Sequence, residues 1–324
     1  MILRLRALLE STQALSRLAA AGALIVLVIG LSVSSPVFLT ADNLFNLGQQ
    51  VAVTAIIAIG MTFVIITGGI DLSVGSVAAL SGVGAALMMS HLGIPWQLAV
   101  FVGVAIGAVA GMVCGALVTL ARMPPFLATL GMMSAARGLV FILSAQAVFG
   151  LPDAFRLLGQ GQYGAIPVPL VLLVLIAVAG HLVLTRTRLG RYCYAIGSNR
   201  EAARLSGIPI RRYLATVYVI SGALAGFGGM IAASRVKSGQ PNFGEALELD
   251  VIAAVVIGGA SLAGGQGSVP GTLMGAFILA LIRNGSVLLG INRFYQDVLI
   301  GLIIWLAVWW DLQRRQRIAE RTGG

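Results

Sequence analysis

Asp71 stands in the stretch Gly68-Gly69-Ile70-Asp71-Leu72-Ser73-Val74-Gly75-Ser76, which interrupts an apolar run that otherwise extends from residue 51 to 89. An ionisable group among apolar segments is costly in hydrocarbon, so it faces a bundle interior or water, where it can relay protons, touch a solute or hold a gate. The neighbouring glycines let the backbone break and turn free N–H groups toward a cavity. Two roles are open: a tight cytoplasmic turn in which Asp71 caps the next helix, or part of a solute path or gate built from Gly68, Gly69, Asp71 and Ser73. A second stretch, Gly258-Gly259-Ala260-Ser261-Leu262-Ala263-Gly264-Gly265-Gln266-Gly267-Ser268, is built like the first. Each follows a β-branched apolar run, Phe63-Val64-Ile65-Ile66 or Val255-Val256-Ile257, and each holds a Gly-Gly pair and a later Gly-Ser. The likeness adds Gly258, Gly259 and Ser261 to the candidates and points to an internal repeat of the kind transporters use.

A second concentration of chemistry lies between Arg186 and Arg212, where seven arginines accompany one acid, Glu201. Long apolar segments flank it, and a strongly basic loop between membrane spans is retained in the cytoplasm. The loop is longer than a connection needs, which suggests that something docks on it. Within it, Ser198 or Asn199 can cap a short helix, Glu201 suits a positive helix N-terminus, Ala202 and Ala203 form helix readily, and Gly207 stops it.

Other chemistry is missing. The one lysine, Lys237, follows Val236, so no Gly-Lys-Ser/Thr phosphate loop exists in this polypeptide. Leu205-Ser206-Gly207 resembles part of an ATPase signature but has no such domain around it. His91 and His181 lie at span ends and form no metal-ligand pattern, and there is no His-Glu-x-x-His. Cys114 lies in an apolar span and Cys193 in the basic loop, so no disulfide is expected. The sequence therefore predicts no enzyme, no metal and no bound cofactor in this chain. Arg137, within an apolar span, reads as a snorkelling or helix-contact residue ahead of a path residue. Glu245, Glu248 and Asp250 could pair with Arg235 and Lys237 on an outer, solvated rim.

These residues must be held by membrane helices. Of 324 residues, 58% are hydrophobic and 10% charged, with a mean hydropathy of +0.98. A soluble domain carries about a quarter charged residues, so this chain cannot cover a water-facing surface and must lie in lipid. Its 42 glycines suit close helix packing there. The net charge of +10 does not indicate nucleic acid, because the arginines sit in loops and tails beside apolar spans.

Apolar windows fall at 18–34, 49–67, 72–90, 96–120, 126–147, 166–185, 213–233, 248–263, 268–289 and 294–310. The expectation is an all-α polytopic protein of about ten transmembrane helices, two of which could be half-spans where glycine interrupts them. An even count puts both termini, and fifteen of the 21 basic residues, in the cytoplasm. The loop after the fifth window, 146–165, has only Arg156 beside Asp153, as expected outside. The chain divides into a cytoplasmic basic N-terminus (1–17), one transmembrane domain (18–310, with the loop 186–212) and a basic cytoplasmic tail (311–324). The run 18–31 is read as a retained first span, since no small-x-small cleavage site follows. Pro124-Pro125 ends a span, and Thr40-Ala41-Asp42-Asn43 after Pro36 predicts the cap of a short outer helix.

The stretches 42–46, 60–65 continuing through 68–76, 187–192, 249–259 and 261–265 together resemble the permease subunits of ribose-type monosaccharide ABC importers, in order and over roughly residues 20 to 310. The resemblance implies a type II ABC importer-like architecture in the bacterial inner membrane. It also implies a second permease copy, identical or not, a cytosolic ATPase that binds ATP and Mg, and a periplasmic sugar-binding protein, with membrane lipid around the spans. It makes Ser198, Asn199, Arg200, Glu201, Ala202, Ala203, Arg204, Leu205, Ser206 and Gly207 the segment that inserts into the ATPase; the bottom-up alternative is a merely basic loop. The expected function is translocation of a pentose, hexose or related polyol by alternating access. The rivals are an ion-coupled secondary transporter working through Asp71, which the scarcity of intramembrane acids argues against, and a passive channel.

Overall fold

In the computed structural model, residues 20–322 are described; the expected N-terminal basic segment 1–17 lies outside them. The chain is helical nearly throughout: α1 (Ala20–Ser34), α2 (Ala41–Ile66), α3 (Val74–Leu92), α4 (Trp96–Thr119), α5 (Pro125–Leu143), the short α6 (Arg156–Gln160), α7 (Val168–Arg186), α8 (Arg188–Ser198), α9 (Arg200–Leu205), α10 (Ile210–Val236), α11 (Leu247–Ile257), α12 (Val269–Leu288) and α13 (Arg293–Thr322). A two-residue hairpin pairs Gln162–Tyr163 with Ile166–Pro167. Among the described residues seven helices, α2, α3, α4, α5, α7, α10 and α12, are long and apolar enough to cross a membrane. Of the other three expected windows, 18–34 and 248–263 correspond to the described helix Ala20–Ser34 and to the short α11, and 294–310 lies within α13.

The boundaries follow local chemistry. Thr40 caps α2 by accepting from the Asn43 amide. The separate short outer helix expected there is absent: α2 runs on without a break, its first two turns polar and therefore invisible to a hydropathy window. Pro125 and Pro270 sit in the first turns of α5 and α12, where a missing N–H costs nothing. Backbone from residue 311 to Thr322 continues α13.

Helix α2 is the axis of the bundle, with Val51–Val53 and Ala55–Ile66 buried. The most extensive helix contact is between α4 and α10. Gly103, Gly107, Gly111 and Gly115 recur every four residues along one face of α4. Opposite them on α10 lie Met230, Gly226, Gly222, Tyr218 and Ala215. A Cβ at Gly107 would overlap the Gly222 carbonyl, and one at Gly111 the Tyr218 carbonyl. Lipid offers helices no hydrophobic drive to associate, so backbone-to-backbone van der Waals contact must hold this pair. Helices α11 and α12 repeat the device with Gly258 against Gly271 and Ala254 against Gly275.

The two ends of the bundle differ. At one end Val148 and Gly239 exchange backbone hydrogen bonds of 2.9 Å, and Lys237 donates to Asp153 at 2.6 Å. Arg137 donates to the carbonyls of Pro241 and Phe243 at 2.7 and 2.9 Å, pinning the link between α10 and α11. Arg283 holds Asp250 at 2.7 Å, with Asp297 at 3.7 Å. The expected rim pairs are thus corrected: Lys237 meets Asp153, and Asp250 meets Arg283 on α12, because α11 packs on α12. The other end carries α8, α9, both glycine-rich breaks and the turn at residues 120–124.

Candidate functional site

The two glycine-rich breaks, almost 200 residues apart in sequence, touch each other. The Gly265 N–H donates to the Ile66 carbonyl at 2.8 Å. Gly264, with φ +88°, faces Gly68: a Cβ there would stand 2.9 Å from the Gly68 nitrogen and 3.0 Å from the Gly197 oxygen. This is a place where only glycine fits, for conformation and for space. Deeper in, the hydroxyls of Thr62 and Thr272 share a buried 2.7 Å hydrogen bond that ties α2 to α12. Gly258 is buried against α12, Gly259 turns the chain at φ +88°, and buried Ser261 closes a tight turn by accepting from the Gly264 amide at 2.9 Å.

The basic loop reaches this junction. Thr187 caps α8 and Asn199 caps α9, accepting from Gly190 and Ala202 respectively. Of the two expected caps it is Asn199 that serves; Ser198 is the last residue of α8. Tyr194 donates to the Gly267 carbonyl at 2.8 Å. Gly197 lies against both the Ile66 carbonyl and the Gly265 nitrogen, and Gly265 packs on Ser198. The C-terminal turn of α8 therefore sits on the seam between the breaks. Cys193, on the inward face of α8, is fully buried, and burial pushes its thiol up to about 12.

Beyond Asn199 the chain projects outward. Arg200, Glu201, Ala202, Arg204, Leu205, Ser206 and Gly207 are exposed. Only Ala203 turns inward, into a small cluster with Ile196 and Leu214. Arg204 and Glu201 pair through Nε at 3.1 and 3.0 Å, which holds the Glu201 carboxyl below its usual range. Leu205 is 75% exposed, an apolar knob on a polar helix. Gly207 stops the segment in the left-handed region, φ +79°.

Asp71 is 1% exposed in this conformation, its carboxylate held by buried partners. Its Oδ1 accepts from the Ser73 amide and hydroxyl at 3.0 and 2.6 Å. Its Oδ2 accepts from the Ser221 hydroxyl of α10 at 2.8 Å. Asp71 thus holds Ser73, the residue just before α3, and pins the first break to α10. Thr129 of α5 donates to the neighbouring Ile70 carbonyl at 3.2 Å. Gly69 leaves room for the Tyr218 hydroxyl. Gly68, Gly258, Gly259 and Ser261 belong to the junction proper, whereas Gly69, Asp71 and Ser73 belong to the α10 contact.

Sequence reasoning missed one further feature. A cavity of about 420 Å³ lies among α2, α3, α10 and the 236–247 segment, at the end opposite the basic loop. Gln50, Thr54, Arg235, Gln240, Asn242 and Phe243 are among its lining. They come from separate elements, so no motif announced them.

Comparison with known proteins gives one family. Residues 43–308 match the family described as branched-chain amino acid transport system / permease component. The chain is 43% identical over 298 residues to the ribose import permease protein RbsC of Escherichia coli K12, covering 90% of this chain and 92% of that protein. It is 44% identical over 294 residues to its Bacillus subtilis 168 namesake (90% and 91%), and 36% identical over 342 residues to the xylose transport system permease protein XylH of E. coli K12 (86% and 87%). No solved structure matches.

Proposed function

Because the chain belongs to this permease family, we propose that it is the membrane subunit of an ATP-driven importer of a monosaccharide: a ribose- or xylose-like pentose, a hexose or a related polyol. It works as one of two permeases in a type II importer-like assembly in the inner membrane. Taking α1, α13 and, as a half-span, α11 with the seven long helices gives the expected count of about ten, and both termini lie in the cytoplasm with the basic loop. A cytosolic ATPase holds ATP and Mg, and a periplasmic binding protein delivers the sugar at the opposite end. This chain is the part that moves, not the part that hydrolyses.

The observation that carries the reading is the continuity from α9 to the breaks. An exposed, doubly stopped helix with an apolar knob at Leu205 is what an ATPase surface can grip. It is fixed at its base by Ala203 and continues directly from α8, whose Gly197 and Ser198 rest on Ile66 and Gly265. Displacement of residues 198–207 is transmitted to the seam between Gly68 and Gly264, and opening that seam opens the cytoplasmic end between α2 and α12. Gly68, Gly69, Asp71, Ser73, Gly258, Gly259 and Ser261 act as gate supports, with Asp71 keeping the first break registered on α10.

Proteoliposomes holding the permease, its ATPase and its binding protein test this. Accumulation of D-ribose or D-xylose that needs ATP inside the ATPase compartment and ignores ionophores is expected. Uptake by the permease alone that an ionophore abolishes would make it a secondary transporter, and equilibration without accumulation a channel.

A further inference from the structure

We propose that the cavity bounded by α2, α3, α10 and the 236–247 segment is the permease's own receiving site for a neutral polyhydroxylated solute, a deepening that rests on the importer reading above. Its volume of about 420 Å³ lies within the range of about 300–1,000 Å³ usual for small-molecule sites. Small residues, Ala78, Ala79, Gly82 and Gly229 among them, form its wall, so the space is kept empty by the sequence rather than left by loose packing.

The polar groups converge on it unspent. Gln50, Thr54 and Asn242 make no side-chain hydrogen bond among the described residues, and Arg235 has no carboxylate partner there. Gln240 gives its Nε2–H to Ser238 Oγ at 2.7 Å, which orients the side chain and leaves its amide oxygen to accept. A sugar hydroxyl both donates and accepts, and amides and a threonine hydroxyl match both functions, while the arginine fork adds donors for adjacent hydroxyls. Phe243, half-buried, offers an apolar face to the C–H side of a sugar ring.

The lining also excludes other solutes. It holds no carboxylate to meet the ammonium of an amino acid or an amine. The 236–247 part of its wall lies at the end that carries Lys237, Asp153 and the 144–167 segment, away from α9. A solute handed over at that end meets Gln50 and Asn242 first, both exposed, and Thr54 further in along α2.

Two measurements on the complete reconstituted transporter decide it. Thr54→Val, Gln240→Leu and Asn242→Leu each lower D-ribose or D-xylose uptake about tenfold, the factor for one hydrogen bond of roughly 1.4 kcal/mol, while ATPase co-purification stays at the wild-type level. Thr54→Cys becomes reactive to a membrane-impermeant thiol reagent from the outer side, and the sugar that the wild type imports slows that reaction, whereas L-leucine does not. Wild-type uptake in all three variants, or protection by L-leucine in place of the sugar, overturns the site. If the wild type imports no sugar at all, it is the importer reading that falls, so the two failures are told apart.

Discussion

Gly197→Ala is the sharpest perturbation of the link between the basic loop and the breaks. The added methyl would fall inside contact distance of the Ile66 carbonyl and the Gly265 nitrogen, both backbone atoms that cannot rotate away. Helix α8 must therefore lift off, or the 2.8 Å bond from Gly265 to Ile66 must open. Losing that bond costs about 0.5–1.5 kcal/mol, and forcing a methyl into packed backbone about 1–3 kcal/mol. The better helix propensity of alanine returns at most about 1 kcal/mol. The steric effect wins by about 2 kcal/mol, roughly a 30-fold shift in the equilibrium between docked and undocked α8. The assay is sugar moved per ATP hydrolysed in proteoliposomes, read beside the thermal midpoint of the purified complex. ATP hydrolysis should continue while uptake per ATP falls severalfold and the midpoint drops. Gly30→Ala on α1, with nothing within 4 Å of its added methyl, should change neither. A Gly197→Ala protein with wild-type coupling and midpoint would refute the idea that the seam carries the stroke.

Three other perturbations follow from the same geometry. Exchanging Glu201 and Arg204 (Glu201→Arg with Arg204→Glu) keeps the ion pair but reverses the charge at each end of α9, opposing the helix dipole; ATPase retained on an affinity-purified permease should fall, and unchanged retention would remove α9 as the docking element. Asp71→Ala strands the Ser73 amide and the hydroxyls of Ser73 and Ser221 in a buried site, costing about 3 kcal/mol, against about 1 kcal/mol for Ser221→Ala; both are read by fluorescence-detected size exclusion after heating, and a stable but transport-dead Asp71→Ala would return Asp71 to the solute path. Cys193, buried and with its thiol pushed up to about 12, should resist maleimide at pH 7.5 until detergent denaturation exposes it; labelling of the native protein would place α8 away from the bundle.

The sequence made the class, the basic face and both glycine-rich breaks readable, because hydropathy, positive-inside charge and Gly-Gly pairs are local signals. The caps of α9 were readable for the same reason: Asn199, Glu201 and Gly207 act on their own neighbours. What could not be read is pairing at long range. That Gly264 meets Gly68, or that Asp250 finds Arg283 in place of the nearer Lys237, depends on how whole helices pack. The early start of α2 was hidden because Asp42, Asn43 and Asn46 lower hydropathy, although Thr40 caps the helix and Asp42 suits its positive first turn; Asn43 is engaged with Asn284 through reciprocal amide bonds of 3.1 and 2.7 Å. The cavity left no trace because Thr54, Gln240 and Asn242 are unremarkable where each stands.

The glycine face shared by α4 and α10 has a consequence for biosynthesis. All of α5 to α9 is made after α4 enters the bilayer and before its partner face exists. Until α10 arrives, Gly103, Gly107, Gly111 and Gly115 present bare backbone to lipid, with only weak reason to stay in register. The nascent bundle must therefore remain loosely associated through most of translation and tighten late, when α10 slides between α2, α3 and α4. A lesion in α10 would be felt as failed assembly of helices that had already been inserted correctly.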